Sequence, residues 1–126
     1  MTTVRIEEEL FSVREPKGAI KDQQGTVKID IIGHAEYANE NDIVCSAISI
    51  LTYTLMQRLQ DLDGVNAFKR YECTCKAGEV HICVLPKRES KRDFYTMLNT
   101  IIRGYQLLNN KYPENISVKK VGWGRF

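Results

Sequence analysis

The sequence predicts an α+β protein with two layers, in which a mostly antiparallel sheet is covered on one face by two helices. Two long segments carry apolar residues at steps of three and four, which is typical of helices that pack on one side. Five shorter segments have the alternation or the β-branched composition of strands. Their order along the chain is ββαββαβ, and one sheet with both helices on the same face buries every apolar stripe.

The first two strands are predicted over Val4 to Phe11 and over Thr26 to Ile32. Between them, Ser12 to Gln24 contains proline, glycine and several polar residues, a composition that indicates either a loop or a long, irregular hairpin connection. The second strand has a clear period of two, with one face made by Val27, Ile29 and Ile31.

The first helix is predicted from Asp42 to about Leu62 and is terminated by Asp63-Gly64. Asp42 suits the N-cap, since its carboxylate can accept a hydrogen bond from a backbone N–H of the first turn. The apolar stripe consists of Val44, Ile48, Leu51, Leu55, Leu59 and Leu62. The stripe is widened by Ile43, Ala47, Ile50 and Thr54, so we expect the helix to be deeply packed.

The second half of the chain is predicted to contain a hairpin, a helix and a final strand. Strands over Ala67 to Lys76 and Glu79 to Leu85 are joined by the turn Ala77-Gly78. A helix follows from Glu89 to about Lys111, with Ser90 or Glu89 as its cap, and the last strand covers Ile116 to Val121. The apolar face of this second helix consists of Phe94, Leu98, Ile101, Tyr105 and Leu108.

The length of 126 residues suits one domain over residues 1–126, with 1–25 as an N-terminal strand and loop and 122–126 as a mobile tail. The net charge of +2 is too small to argue for a nucleic-acid partner. We find neither a signal peptide nor an apolar stretch that could cross a membrane, and therefore expect a cytoplasmic protein without a membrane partner, whose four cysteines are thiols. No cofactor is predicted.

His34 and Cys45 are the candidate catalytic residues. Cys45 falls in the first turn of the first helix, where the helix dipole and a nearby imidazolium would both favour the thiolate. The short segment between them can fold the imidazole of His34 over the helix start, which would give the minimum set for thiol-dependent acyl transfer. Asp42 could orient the imidazole, and N–H groups around Cys45 could form part of an oxyanion hole. The alternative is a buried core cysteine and a solvated histidine in a turn.

A second cluster, Cys73, Cys75, His81 and Cys83, has the residue types of a zinc site. If Ala77-Gly78 is a two-residue turn, Cys73 lies opposite Ile82, and His81 and Cys83 project from the other face of the sheet. A three-residue turn would place all four on one face. Structural zinc sites also favour wider spacings such as Cys-x-x-Cys, and we prefer sheet residues of mixed burial over a metal site.

Two segments resemble the Prp family of ribosomal-processing cysteine proteases. The first is Gly33-His34-Ala35-x-Tyr37-Ala38, and the second runs from Asp42-Ile43-Val44-Cys45 through Ser46-Ala47-Ile48-Ser49-Ile50-Leu51. The resemblance implies a small two-layer homodimer that removes a short N-terminal segment from a large-subunit ribosomal protein precursor. It implies Cys45 as nucleophile, His34 as base and Asp42 as a supporting residue, and it suggests Gly33, Ala35, Tyr37 and Ser46 as substrate-binding residues.

Several features depart from this family and indicate a divergent member, for which we consider a phage or prophage origin. The segment Asn39-Glu40-Asn41 is shorter than its counterpart and lacks a glycine, Ser46 replaces an alanine, and the N-terminal region is longer. These differences bear on the protein substrate, which could be a phage structural protein. A binding or assembly adaptor without catalysis is the alternative on the same fold.

Overall fold

The computed structural model describes residues 1–14, 16, 18, 20–33 and 42–122, with only the backbone described for residues 12–14, 20–23 and 42. These residues form two helices and five strands. The strands are β1 (Thr2–Arg14), β2 (Ile20–Ile32), β3 (Phe68–Lys76), β4 (Glu79–Pro86) and β5 (Ile116–Val121). The helices are α1 (Asp42–Gly64) and α2 (Lys91–Lys111), the second preceded by a 3₁₀ turn over Arg88–Ser90. The order ββαββαβ confirms the predicted fold class.

The five strands form one sheet in the order β3-β4-β2-β1-β5. Neighbouring strands are antiparallel except β1 and β5, which run parallel and pair from Thr2 with Ile116 to Glu7 with Val121. A parallel pair needs a long crossover connection, and here it joins the first strand to the last. The backbone N–H of Thr2 also donates to the carbonyl of Asn115 at 2.9 Å, which fixes the start of β1 beside the start of β5.

One face of the sheet is buried under both helices, and the other carries mainly charged and polar residues. The alternation predicted for β2 is confirmed, since Val27, Ile29 and Ile31 are all buried. Val4 and Ile6 continue this face on β1. The rest of the core is contributed by Val80, Ile82, Val84, Val44, Leu55, Leu59, Phe94, Leu98, Tyr105 and Ile116, among others. Burial of this apolar surface is the main favourable contribution to folding.

The first hairpin is longer than the sequence pattern indicates. β1 continues to Arg14 and β2 begins at Ile20, so most of Ser12 to Gln24 is paired strand with a register shift at Val13 and Arg14. Of the two alternatives for this segment, the long hairpin is the one observed. The strand boundary was missed because the segment lacks a consistent apolar face, whereas backbone hydrogen bonds extend strands without regard to side-chain polarity.

The expectation that Ile43 and Ile50 widen the buried stripe of α1, so that the helix is deeply packed, is wrong. Val44, Ile48, Leu55 and Leu59 of the predicted stripe are buried, but Ile43 and Ile50 are 78% and 63% exposed. They lie seven residues apart and so share one outward face. A two-layer fold covers each helix from the sheet and from one neighbouring helix only, which leaves the outer side of α1 to solvent.

Ser90 lies at the N-cap of α2, as predicted, but its side chain makes no capping hydrogen bond.

In the residues the structure describes, no helix is long and apolar enough to span a membrane.

Candidate active site

An open cavity of about 550 Å³ lies where α1 begins, beside the β3–β4 turn and the first residue of β1. Its lining includes Gly33, Cys45, Ser49, Tyr53, Cys75 and Gly78. The floor is apolar because Ile31, Ile48 and Val80 contribute to it. A concave, mostly apolar site with a few polar groups is the usual form of a ligand site.

Cys45 is half-buried and is the fourth residue of α1. Its predicted position in the first turn of the helix is therefore confirmed. Helix N-termini carry a partial positive charge from unsatisfied N–H groups, which favours a thiolate over a thiol. The cysteine is thus part of the cavity wall at the electropositive end of the helix.

Gly33 directly follows β2 in a conformation that favours glycine, with a φ of +88°. Its N–H donates to the carbonyl of Gly78 at 2.9 Å, and its own carbonyl accepts from the hydroxyl of Thr2 at 3.3 Å. A Cβ at this position would overlap the carbonyl oxygen of Met1. Gly33 therefore joins the end of β2 to both the β3–β4 turn and the start of β1.

The α1 wall of the cavity is anchored through Thr52, which is buried. Its hydroxyl donates to the carbonyl of Ile48 at 2.8 Å and shares a second hydrogen bond of 2.8 Å with the hydroxyl of Tyr105 in α2. Burial raises the pKa of Tyr105 to about 12, and the hydrogen bond to Thr52 opposes that rise. This buried polar contact fixes α1, and with it the cavity wall, against α2.

The structure brings two of the predicted site residues, Gly33 and Cys45, to one cavity. Ser46 is exposed and is not among the residues that line it. The predictions for His34, Ala35, Tyr37 and the carboxylate of Asp42 lie outside the described residues and side chains. Those assignments therefore stay predictions.

Several lining residues were missed by sequence reasoning. Ser49 and Tyr53 follow Cys45 by four and eight residues, so helical periodicity could have placed them on the same face. Thr2 and Cys75 carry no such signal, because their proximity depends on the order of strands in the sheet. Tyr53 is 64% exposed and is the aromatic side chain of the described lining.

The second cysteine cluster is divided between the two faces of the sheet. β3 and β4 pair Lys76 with Glu79 across a two-residue turn, Cys73 with Ile82, and Thr74 with His81, as predicted. Cys73 and Cys75 thus project toward the helix side, while His81 and Cys83 project from the open face. Within the described ranges, no group of three or more histidine, cysteine or acidic residues could hold a metal ion.

His81 instead pairs with acidic residues on the open face of the sheet. Its Nδ1 lies 2.7 Å from a carboxylate oxygen of Asp30, and its Nε2 lies 3.8 Å from Glu79. The hydrogen bond to Asp30 raises the pKa of His81 above the ordinary value, with help from the charges of both carboxylates. This pair is separated from Cys45 by the sheet.

Comparison with known proteins gives the class of this molecule. Residues 17–117 match the family model described as cysteine protease Prp. This match spans the strand–helix segment with Gly33 and Cys45, together with both helices. The chain belongs to the cysteine protease Prp family and is a cysteine protease. No curated protein matches it.

Solved structures share the fold at low sequence identity. The chain is 19% identical to the essential ribosomal processing protease Prp from S. aureus in complex with a substrate peptide, with a TM-score of 0.61 over 95% of this chain and 99% of that one. The same protease with a covalently linked product peptide gives 20% identity, a TM-score of 0.61 and coverage of 95% and 99%. SMU.848 from Streptococcus mutans gives 18% identity and a TM-score of 0.60, covering 96% of this chain and 97% of that one.

Proposed function

We propose that this chain is a processing endopeptidase that removes a short N-terminal segment from a protein substrate, with Cys45 as nucleophile and His34 as base. The observation that carries the proposal is the half-buried Cys45 at the start of α1, on the wall of an open cavity large enough for several peptide atoms. The S. aureus relative is a ribosomal processing protease in complex with a substrate peptide, which supports a ribosomal protein precursor as the substrate. The family resemblance favours a protein of the large subunit.

The reaction follows from these assignments. The sulfur of Cys45 attacks the carbonyl carbon of the scissile peptide bond, and His34 takes the thiol proton and gives it to the leaving amine. The resulting thioester is hydrolysed by water, which His34 deprotonates, and the thiol is restored. Backbone N–H groups at the first turn of α1 stabilise the oxyanion, and Asp42 orients the imidazole.

Two assays test the roles of Cys45 and His34. In the first, candidate precursors are incubated with wild-type and Cys45→Ala protein, and the products are weighed by mass spectrometry. We expect loss of an N-terminal segment with the wild type only, while Cys83→Ala, which removes a half-buried cysteine on the other face of the sheet, keeps cleaving. Cleavage that survives Cys45→Ala would disprove the assignment of the nucleophile.

In the second assay, the alkylation rate of each cysteine is followed against pH by peptide mapping. We expect Cys45 to stay reactive well below the pKa of about 8.5 of an ordinary cysteine, and His34→Ala to shift its profile upward. A Cys45 profile like that of an ordinary thiol, unchanged by His34→Ala, together with binding of a precursor without cleavage, would favour the adaptor instead. Cleavage of a phage structural protein but of no ribosomal precursor would correct the substrate.

We also propose a cytoplasmic homodimer. The exposed Ile43 and Ile50 on the outer face of α1 support self-association, because neighbouring exposed aliphatic side chains are a common feature of interfaces. Sedimentation of the wild type should show a dimer, and Ile50→Asp should shift it toward monomer. A monomeric wild type would contradict the proposal.

A further inference from the structure

A polar, positively charged groove runs between α2 and β5, the edge strand of the sheet. It consists of two adjoining depressions of about 340 and 390 Å³ that share Arg103 and Gln106. We call it the amide groove, and its polar lining is Asn99, Arg103, Gln106, Asn109, Asn110 and Lys120. No residue of the described active-site cavity lines it. The catalytic mechanism therefore does not account for it.

Charge is distributed unevenly along the chain, and the surplus lies in the segment that builds this groove. Residues 94–126 contain five lysines and arginines and one acidic residue, whereas residues 1–93 contain thirteen and fifteen. The net charge of +2 is thus the sum of a positively charged C-terminal quarter and a slightly negatively charged remainder of the chain. A local surplus of this kind attracts anions even when the whole molecule is nearly neutral.

Arg103 and Lys120 are the two cations of the groove, and both are exposed. Among the described residues, neither forms a salt bridge, whereas Arg5, Lys28, Arg58 and Arg70 each pair with a carboxylate. The described lining contains no acidic residue. The described residues therefore do not neutralise these two charges.

Carboxamides supply the rest of the polar surface. Asn99, Arg103, Gln106 and Asn110 recur at steps of four, three and four, so they form one stripe along α2. The Oδ1 of Asn109 accepts a 3.0 Å hydrogen bond from the backbone N–H of Val118, which holds β5 against this helix. Carboxamides can both donate and accept, which suits hydroxyl groups as well as phosphate oxygens.

We infer that the amide groove binds the backbone of an RNA helix, with Arg103 and Lys120 on phosphates and the carboxamides on 2′-hydroxyl groups. Double-stranded RNA is read mainly through its shape, its phosphates and its 2′-hydroxyls. The described lining has no aromatic side chain on which unpaired bases could stack, which disfavours single strands. It also has no exposed large apolar residue to enter a membrane. None of the residues that line the groove also lines the cavity at Cys45, so the groove can be occupied without filling the cavity.

The test is fluorescence anisotropy with the full chain and an RNA duplex of about 16 base pairs, titrated at several salt concentrations. We expect micromolar binding with a log–log salt slope of about −2, because two phosphates are neutralised. Arg103→Glu/Lys120→Glu should weaken binding at least about tenfold. Circular dichroism and the thermal midpoint report whether this variant is folded. Arg103→Gln, which keeps a polar side chain, should weaken binding about fivefold, and it decides the test where the double variant does not fold.

Lys119→Glu is the matched control. The substitution changes the charge by the same amount as Lys120→Glu, one residue away in β5. Lys119 pairs with Arg5 in the strand register, so its side chain projects from the open face of the sheet and not into the groove. Binding should survive this change almost unaltered. An equal loss from Lys119→Glu would overturn the inference, since it would reflect overall charge alone.

Four other negatively charged ligands test whether the groove prefers an RNA duplex. A DNA duplex and a single-stranded RNA of the same sequence, a polyglutamate peptide and vesicles with anionic lipid are titrated under the same conditions. Binding to the RNA duplex should be the tightest. Equal or tighter binding to any of the other four, or no salt-dependent binding to RNA, would refute the assignment.

Discussion

At the scale of single residues, the backbone conformation of Gly33 holds the end of β2 against the β3–β4 turn and the start of β1, which line the cavity. We expect Gly33→Ala to lower the free energy of unfolding by about 2 kcal/mol or more, because an added Cβ meets the carbonyl of Met1 and the positive φ is strained for alanine. Urea unfolding measures this effect.

Gly64→Ala is the matched control for that substitution. Gly64 ends α1 without a positive φ, and a Cβ there meets nothing within 4 Å. Alanine should be neutral or stabilise the protein by about 0.5 kcal/mol, since it restricts the unfolded chain. If both substitutions changed the stability equally, the account of Gly33 would be wrong.

His81 is the second residue with a measurable signature. The hydrogen bond to Asp30 raises the pKa of His81, so the stabilisation from this pair is complete below the unfolded value of about 6.5 and is lost as pH rises through the higher folded value. NMR titration of the imidazole should show this raised pKa, and Asp30→Asn should lower it.

The assignment of that titration needs one further variant. The chain has two histidines, so His34→Gln leaves the His81 resonance alone in the spectrum. A His81 pKa that Asp30→Asn leaves unchanged would mean that the pair is not formed in solution.

At the scale of elements, the hydrogen bond between Thr52 and Tyr105 couples the two helices. Tyr105→Phe should cost about 1 kcal/mol, because the Thr52 hydroxyl keeps its bond to Ile48. Thr52→Val should cost more, about 2 kcal/mol, since it leaves the buried Tyr105 hydroxyl without that partner. Denaturant unfolding of both variants gives the comparison, and the reverse order would contradict it.

The same tyrosine gives a pH dependence with a definite sign. Its folded pKa of about 12 exceeds the unfolded value of about 10, so its contribution is complete below pH 10 and is lost as pH rises through 12. Wild-type stability should therefore fall by about 1 kcal/mol more than that of Tyr105→Phe between pH 10 and 11. Tyr71, whose pKa burial also raises to about 12, is present in both proteins and cancels in the comparison.

Structural features set by residues close together in sequence were predicted, whereas those set by contacts between distant strands were not. The bounds of β5 and the register of the β3–β4 hairpin were predicted from local patterns, because a two-residue turn determines which residues oppose each other. The extent of the first hairpin was not, since its outer residues follow no apolar alternation. The contribution of Thr2 and Cys75 to the cavity depends on strand order, which periodicity does not encode.

At the scale of the whole molecule, the parallel pair of β1 and β5 closes the sheet between distant parts of the chain. Ile116 is fully buried at the start of this pair. Ile116→Ala should lower the free energy of unfolding by about 3 kcal/mol through lost apolar contact and a residual cavity. Thermal or urea unfolding measures this loss.

Ser117 provides the comparison for that prediction. It is the next residue of β5 and points to the other face, where it is half-buried. Ser117→Ala should change stability by less than about 0.5 kcal/mol. Similar losses at both positions would mean that strand pairing, and not burial under α2, governs the contribution of β5.

The hydrogen bond between Gly33 and Gly78 has an evolutionary consequence. This bond joins two backbone groups at one side of the cavity, so it does not depend on the identity of neighbouring side chains. The facing side belongs to α1, where the exposed Ser49 and Tyr53 contribute little to the core. If the substrate peptide binds in this cavity, as proposed, a few helix substitutions can change the cleavage preference while the fold is retained. Selection can act on specificity there almost independently of stability.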